Sequence, residues 1–364
     1  MHRVRNLRII CKVVFLVLMA ITPARRSCAQ FVPESDPNLK ITTMEGPKGM
    51  EEFAVGDGLA WAYGKDRLLS VDPQKQQITS VAIEHVKASF PGYAIARGFL
   101  WTLGTAHDAE GIHRIDVSTG KCTATIALKP RKGISSVAYG EGAVWVLSEH
   151  DGTLFRINPS TNQVTATIEL GKGYWQALQI ADGSIWTIGE DSGIVKRVDP
   201  QSNKVVDEFS TGRRQTTSLL KEPFKGGIYY FAVGEGTLWV ADSKNLSSGE
   251  YILWRFDLKT HDRTAQVEVD HSYAAPVIWN GYVWLSKPVN HLAGHYIVEV
   301  STKTNRVERS LWLPAAQGHF FARGSFPPVL VAGENALWAF SPGNGHEPTI
   351  VRYIQAKPAE PREK

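Results

Sequence analysis

The stretch Gly140-Glu141-Gly142-Ala143-Val144-Trp145-Val146 recurs along the chain with small changes. Related stretches are Gly56-Asp57-Gly58-Leu59-Ala60-Trp61 and Gly234-Glu235-Gly236-Thr237-Leu238-Trp239. Each combines a glycine-rich turn signal with a short apolar run that ends in Trp, and such a pattern is typical of a β-hairpin. No part of the chain after residue 29 shows a sustained helical period, so the sequence predicts an all-β protein.

The repeated Trp sets the period of the architecture. The series consists of Trp61, Trp101, Trp145, Trp186, Trp239, Trp284 and Trp338, with steps of 40, 44, 41, 53, 45 and 54 residues. Self-similarity at about 40–45 residues is typical of four-stranded propeller blades. The sequence therefore predicts a seven-bladed β-propeller.

The two ends of the repeat region predict how the ring closes. Val329–Val331, Ala336–Phe340 and Thr349–Ile354 supply three strands of the last blade, and a polar, proline-rich tail follows them. Leu39–Gly46 resembles Val164–Gly171, which closes the third repeat as a fourth strand. We predict that this N-terminal strand completes the last blade and removes the exposed sheet edges.

The N-terminal segment predicts export. Arg3, Arg5, Arg8 and Lys12 precede the apolar run Val13–Ile21, and Ser27 and Ala29 fit a small-residue cleavage site before Gln30. The run is shorter than the ~20 residues that a membrane span needs, so we expect no transmembrane anchor. The predicted organisation is a signal peptide at 1–29, one propeller at 30–355 and a polar tail at 356–364, in a secreted or periplasmic protein.

Composition and charge exclude several classes of protein. The chain has 364 residues, 43% hydrophobic and 21% charged, which excludes collagen-like, coiled-coil and disordered proteins. Residues 1–29 hold six basic and no acidic residues, so their removal changes the net charge from +4 to −2 and argues against a nucleic-acid partner. Cys122 then stands alone, which excludes an internal disulfide and a cysteine-based zinc site.

The repeat resembles a known family. Gly140–Val146 together with Arg156–Ile168 is similar to the repeats of YVTN/YncE-type propellers and, more loosely, to streptogramin-lyase-like propellers. The resemblance spans residues 39–355 and implies a seven-bladed fold. It leaves function open, because such propellers include binders, lyases and lactonases.

Loop lengths predict which side of the propeller carries a site. The turns between the first and second and between the third and fourth strands are short and uniform, and we call their side the short-turn face. The opposite, loop-rich face carries loops of varied length: Thr105–Gly111, Asp242–Glu250, Lys287–His295, Ser210–Gly227 and Pro314–Phe326. Irregular loops on a rigid scaffold are where binding usually occurs, so we place the site on the loop-rich face.

Histidines and acids on this face suggest catalysis or metal binding. The candidate residues are His150, Glu190, His271 and His319. Imidazole and carboxylate groups serve as general bases and as ligands of divalent metals. The residues have no fixed ligand spacing, and polar residues populate loops in any case. The sequence therefore identifies no cofactor and leaves a divalent metal open.

A second set of candidates would bind a ligand directly. Trp175, Tyr273 and Phe320 lie near the predicted channel mouth, where aromatic rings stack on sugars or planar ligands. Arg213 begins a long insertion and could bind a carboxylate or phosphate. The alternatives are that the rings pack between blades and that the basic loop is merely solvated.

These observations favour an exported binding propeller that engages a small molecule, a glycan or a protein. The alternative is a metal-assisted lyase or lactone hydrolase, although the Glu-x-His element that streptogramin lyases are expected to carry is absent as a set. A structural envelope protein is a third interpretation. Arginines recurring in the third strands, namely Arg114, Arg156, Arg197, Arg255 and Arg352, are interpreted as structural ion-pair or turn partners.

Overall fold

The structure is a computed structural model in which the described part of the chain is entirely strands, turns and short connections. It describes residues 38–64, 66–83, 87–106, 109–128, 134–148, 150–190, 192–212, 230–245, 250–270, 275–287, 294–314, 329–341 and 349–356. The chain divides into Met1–Glu34, outside these ranges, and Ser35–Lys364. Within the described ranges, no helix has the length and apolar character needed to cross a membrane.

In the described ranges, twenty-eight strands form seven four-stranded antiparallel sheets, the blades. Blades 1 to 3 contain β2 (Met50–Gly56), β3 (Leu59–Gly64), β4 (Arg67–Asp72), β5 (Gln77–Ala82); β6 (Lys87–Ala96), β7 (Phe99–Ala106), β8 (Ala109–Asp116), β9 (Cys122–Ile126); and β10 (Ile134–Gly140), β11 (Ala143–Ser148), β12 (Thr153–Asn158), β13 (Gln163–Glu169). Blades 4 and 5 contain β14 (Trp175–Ala181), β15 (Ser184–Gly189), β16 (Ile194–Asp199), β17 (Lys204–Ser210); and β18 (Tyr230–Gly234), β19 (Thr237–Asn245), β20 (Glu250–Asp257), β21 (Arg263–Asp270). Blades 6 and 7 contain β22 (Val277–Trp279), β23 (Tyr282–Lys287), β24 (Gly294–Ser301), β25 (Val307–Pro314); and β26 (Val329–Gly333), β27 (Ala336–Ser341), β28 (Thr349–Ala356) with β1 (Leu39–Gly46).

The ring closes as the sequence predicts. β1 pairs antiparallel with β28, from Leu39 opposite Ala356 to Gly46 opposite Thr349, so the N-terminal strand is the fourth strand of blade 7. The first strands of neighbouring blades contact one another around the circle, including β26 of blade 7 with β2 of blade 1. The seven-bladed propeller is therefore confirmed.

The repeated turn and Trp explain why each blade forms. Both residues of the first turn have positive φ, for example 49° at Glu141 and 73° at Gly142, as a type I′ hairpin requires. In blades 1, 3, 4, 6 and 7 the Trp indole N–H donates to the carbonyl five residues earlier, as in Trp145 to Gly140 at 3.1 Å. The Trp rings are buried, and seven separate hydrophobic clusters fill the seven junctions between blades.

Acidic residues in the short turns link neighbouring blades. Asp57 of blade 1 accepts hydrogen bonds from the backbone N–H groups of Arg97 and Gly98 of blade 2, at 3.0 and 2.6 Å. Glu334 of blade 7 accepts from Gly58 of blade 1 at 3.0 Å in the same way. The short-turn face thus uses these carboxylates for its own structure.

Candidate functional site

The junction of blades 3 and 4 exposes an aromatic pair on the loop-rich face. His150 follows β11, and Tyr174 immediately precedes β14. Their ring centroids lie 4.3 Å apart with the planes at 74°, an edge-to-face contact. Both side chains are exposed, Tyr174 to 37%. We call this pair the His150–Tyr174 surface.

Trp175, which follows Tyr174 in the chain, is buried at the same junction. Its ring is 3% exposed and packs with Trp145 and Ile185 in the cluster between blades 3 and 4. Its indole N–H donates to the carbonyl of Gly171 at 2.8 Å. Burial therefore assigns Trp175 to packing between blades, the alternative to ligand stacking, because a ring with so little exposed area offers no stacking face.

A glycine allows the two loops of this junction to approach each other. Gly152 has φ of 60°, and a Cβ there would collide with the carbonyl of Gly171 and lie 3.0 Å from the indole nitrogen of Trp175. The carbonyl of Gly152 also accepts a hydrogen bond from the backbone N–H of Leu170 at 2.7 Å. Glycine is therefore required at position 152 for the two loops to approach each other this closely.

Glu190 lies at the same junction. Its backbone N–H donates to the carbonyl of Tyr174 at 2.7 Å, which fixes the β15–β16 loop against the aromatic pair. Two of the four catalytic candidates, His150 and Glu190, are thus brought to one place on the loop-rich face. Among the described residues, no group of three or more His, Cys, Asp or Glu side chains could hold a metal ion.

The other candidates lie outside the described residues. These are the catalytic candidates His271 and His319 and the ligand-binding candidates Arg213, Tyr273 and Phe320. Their roles stay predictions.

Four of the five recurring arginines share one structural position. Arg114, Arg156, Arg197 and Arg255 stand opposite the Trp of their own blades, with the guanidinium carbon 5.5–5.7 Å from the ring centroid. Arg156 and Arg255 donate to Asn203 and Asn305, in the turns of the next blades, at 3.0 and 2.8 Å. The structural interpretation is confirmed for these two as turn partners.

Arg352 does not belong to this series. In blade 7 the residue opposite Trp338 is Tyr353, and Arg352 stands opposite Ala339. The shift of one residue turns Arg352 toward the other side of its blade, into the junction with blade 6. The grouping with the other arginines is therefore wrong, because a shift of one residue in a strand reverses the side to which the side chain points.

Four buried polar side chains face the blade 6–blade 7 junction towards its loop-rich end. They are Ser286, His295, Ser341 and Arg352, each at most 2% exposed, and we call them the blade 6–7 polar cluster. Ser286 and His295 lie on β23 and β24, and Ser341 and Arg352 on β27 and β28. They share strand faces with Trp284, Ile297, Ala339 and Ile354, which belong to the hydrophobic cluster of this junction.

Burial lowers the pKa of both titratable side chains in this cluster. It lowers the pKa of Arg352 to about 10, and the guanidinium stays charged at neutral pH. Burial, and then the positive charge of Arg352, lower the pKa of His295 to about 4, so the imidazole is neutral. The cluster therefore presents one buried cation among neutral hydrogen-bonding groups.

Sequence reasoning missed this cluster as a unit. Its four residues are spread over 67 positions, from Ser286 to Arg352, with no common motif. One signal was available: Ser286 stands two residues after Trp284, where the corresponding residues of blades 3 and 4 are the apolar Leu147 and Ile188. A serine in an otherwise apolar series indicates a junction that differs from the others.

Comparisons with known proteins support the fold. Residues 102–220 match a family model described as a domain of unknown function (DUF5074), from the second strand of blade 2 to the residues after blade 4. None of the curated protein sequences matches the chain.

Solved propeller structures superpose on nearly the whole described ring. The WD40 β-propeller domain of Doa1 has a TM-score of 0.60 at 13% identity, covering 88% of this chain and 98% of that one. The virginiamycin B lyase of Staphylococcus aureus has a TM-score of 0.56 at 15% identity, covering 88% and 100%. The Pan2 WD40 domain of Neurospora crassa has a TM-score of 0.57 at 11% identity, covering 88% and 97%.

At these identities the likeness establishes the propeller fold and nothing about the ligand. A streptogramin-type lyase is among the structural neighbours, in agreement with the looser of the two sequence resemblances. The resemblance to YVTN/YncE-type repeats stays a prediction.

Proposed function

We propose that the protein is an exported β-propeller that binds a small molecule, a glycan or a protein through its loop-rich face. The observation that carries the proposal is the exposed edge-to-face pair of His150 and Tyr174. An exposed tyrosine ring held in place by its neighbours stacks on a sugar or a planar ring at little entropic cost. Among the three classes, the pair therefore favours a ligand with a sugar or planar ring.

The contrast between the two faces supports this choice. On the short-turn face, carboxylates such as Asp57, Asp182 and Glu235 accept hydrogen bonds from the next blade, at 2.6–3.3 Å. At the blade 3–4 junction, in contrast, His150 and Tyr174 contact each other and are exposed, next to the buried Trp175. A scaffold that positions exposed rings in this way is suited to binding.

Binding of a glycan and metabolite panel to the purified protein tests the proposal. The variants are Tyr174→Ala, Tyr174→Phe and, as a control on the outer strand β17, Val206→Ala, which alters a residue that is 51% exposed. We expect Tyr174→Ala to weaken binding of the selected ligand about fivefold, because one stacking contact is worth about 1 kcal/mol. Tyr174→Phe and Val206→Ala should bind as the wild type does.

Two results would overturn this proposal. One is the absence of any ligand in the panel, and the other is equal binding by Tyr174→Ala and the wild type. Export is tested separately by the intact mass of the secreted protein, which should begin at Gln30.

The enzyme alternative rests on the presence of His150 and Glu190 at one junction. In that case these residues, with His271 and His319, would hold a divalent metal for a lyase or lactone hydrolase reaction. Metal content of protein prepared without a histidine tag separates the two proposals. Stoichiometric metal in the wild type that is lost in His150→Ala would favour the enzyme.

A further inference from the structure

Blade 7 differs from the other blades at the short-turn face. In blades 1 to 6 a turn joins the third strand to the fourth, whereas in blade 7 these strands are β28 and β1, from the two ends of the propeller. β28 ends at Ala356, directly opposite Leu39, the first residue of β1. In the described part of the chain, the short-turn end of the blade 6–7 junction therefore has no counterpart of this turn.

Elsewhere this turn contacts the preceding blade. Asn203, in the turn of blade 4, accepts a hydrogen bond from Arg156 of blade 3 at 3.0 Å, and the same contact recurs between blades 5 and 6. In blade 6 the residue opposite the Trp is Glu299, which pairs with Arg309 of its own blade at 2.8 Å. Blade 6 thus has no arginine at the position from which other blades bind the next turn.

Blade 6 instead carries two aromatic side chains at this end. The residue before the first turn is Trp279 in blade 6, and it is glycine or alanine in the others: Gly56, Ala96, Gly140, Ala181, Gly234 and Gly333. The ring centroids of Trp279 and Tyr282 lie 5.8 and 6.0 Å from that of the buried Trp284. Both rings are half-buried, and we call them the Trp279–Tyr282 surface.

Two other junctions leave no room for such a ring. A Cβ at Gly56 would lie 2.6 Å from the backbone carbonyl oxygen of Ile95, in blade 2. A Cβ at Gly140 would lie 2.8 Å from the side chain of Ile180, in blade 4. Because packed groups do not approach this closely, blades 2 and 4 exclude a side chain there. A Trp in blade 6 therefore indicates that the blade 6–7 junction has more room at its short-turn end.

The chain that follows blade 7 has a composition that aromatic surfaces bind. Lys357-Pro358-Ala359-Glu360-Pro361 comes directly after β28 and lies outside the described residues. Pro358 and Pro361 are three residues apart, so they would share one edge of a polyproline II helix, which has three residues per turn. Such segments bind to aromatic-lined surfaces, because their conformation is preformed. Pro33 and Pro37, before β1, are four apart and do not fit this period.

This segment begins within reach of the Trp279–Tyr282 surface. Leu39 belongs to the hydrophobic cluster on which both rings pack, and the exposed Ala356 lies opposite Leu39, on the same side of the sheet. Five residues in the polyproline II conformation span about 15 Å. Since facing sheets are about 10 Å apart, the segment is long enough to cross from blade 7 to blade 6.

We propose that residues 357–361 of the protein's own C-terminal tail bind to the Trp279–Tyr282 surface in the polyproline II conformation, with Pro358 and Pro361 against the two rings. The tail then occupies the place that a turn fills in the other blades, and it ties blade 7 to blade 6 where the ring closes. The site lies on the short-turn face. The inference therefore goes beyond the proposed function, which concerns the loop-rich face, and does not depend on it.

Contact quenching of a fluorescent label tests the proposal. Cys122→Ser removes the native thiol, and Ala359→Cys then places a bimane label, which a touching tryptophan quenches, between the two prolines. We expect quenched emission in this parent protein and a severalfold higher emission after Trp279→Phe. The control Trp312→Phe removes a half-buried Trp of the same blade that lies opposite Tyr296, on the side facing blade 5, and should leave the label quenched.

Proline variants test the same contact without changing the propeller. Pro358→Gly with Pro361→Gly should also release the label, because glycine does not preform the extended conformation. Glu363→Gly with Lys364→Gly, beyond the prolines, should leave it quenched. An unquenched label in the parent protein overturns the proposal, and so does equal quenching with and without Trp279.

The measurement also separates the other possible occupants of this surface. Quenching within one molecule does not depend on protein concentration, whereas quenching that grows with concentration would assign the surface to the tail of a second copy. A label at Ser35→Cys that is quenched through Trp279, with the label at position 359 unquenched, would assign it to the segment before β1. Either result overturns docking of the protein's own C-terminal tail.

Discussion

The blade 3–4 and blade 6–7 junctions are built around the same kind of buried Trp but differ at their loop-rich ends. Both centre on a buried Trp whose indole N–H bonds to the carbonyl five residues earlier, Trp145 and Trp284. Beyond the Trp, the first junction continues with Leu147, and the second with Ser286. Since the two junctions share the buried Trp, the exchange of Leu147 for Ser286 shows that the loop-rich end of a junction tolerates polar residues without a change of fold.

The largest expected effect on stability comes from the buried Trp that the two junctions share. Trp145→Ala and Trp284→Ala should each lower the free energy of unfolding by about 3–5 kcal/mol, because each removes a fully buried ring and leaves a cavity. Urea unfolding followed by fluorescence or circular dichroism measures the loss. Val206→Ala, at an exposed site on β17, should change it by less than about 0.5 kcal/mol. Markedly unequal losses for the two Trp variants would break the comparison.

The next effect is the pH dependence of stability, which we expect from His295 at the polar end of the blade 6–7 junction. The pKa of His295 is about 4 in the folded protein against an ordinary value of 6.5. Between these values the unfolded chain binds a proton that the folded protein excludes, so stability falls as pH falls from 6.5 to about 4. The contribution reaches at most about 3 kcal/mol.

The matched variants for this effect come from the two junctions. His295→Gln should remove the loss of stability in this pH window, and His150→Gln, at the exposed site of the blade 3–4 junction, should retain it. Urea midpoints at several pH values provide the measurement. Equal pH dependence in His295→Gln and the wild type would show that His295 is not the group responsible.

The smallest effect compares the two cations at corresponding positions. Lys196→Met should cost less than about 1 kcal/mol, because the ion pair with Glu208 is partly exposed. Arg352→Met should cost more, about 1–3 kcal/mol, because Arg352 is 1% exposed and the groups that contact its guanidinium would lose a buried hydrogen-bond donor. Equal losses for the two variants would show that the deeper burial of Arg352 makes no difference.

Much of the fold was predictable because its signals are local. Glu141 and Gly142 mark a turn that needs two positive φ values, and Trp145 marks the strand that follows it. Seven repetitions of this signal give seven blades, and the similarity of Leu39–Gly46 to a fourth strand gives the closure with β28. The candidate site was less predictable, since the exposure of Tyr174 and the burial of its neighbour Trp175 follow from packing between blades.

The sequence by itself determined the all-β architecture, the number of blades and the strand that closes the ring, because turns and alternation act over a few residues. Only the tertiary structure decided which face of a blade Arg352 occupies. The loops between second and third strands differ in length, so the distance from Trp338 along the chain does not fix the residue opposite it. Strand pairing fixes that register and turns Arg352 towards blade 6, where its charge acts on His295.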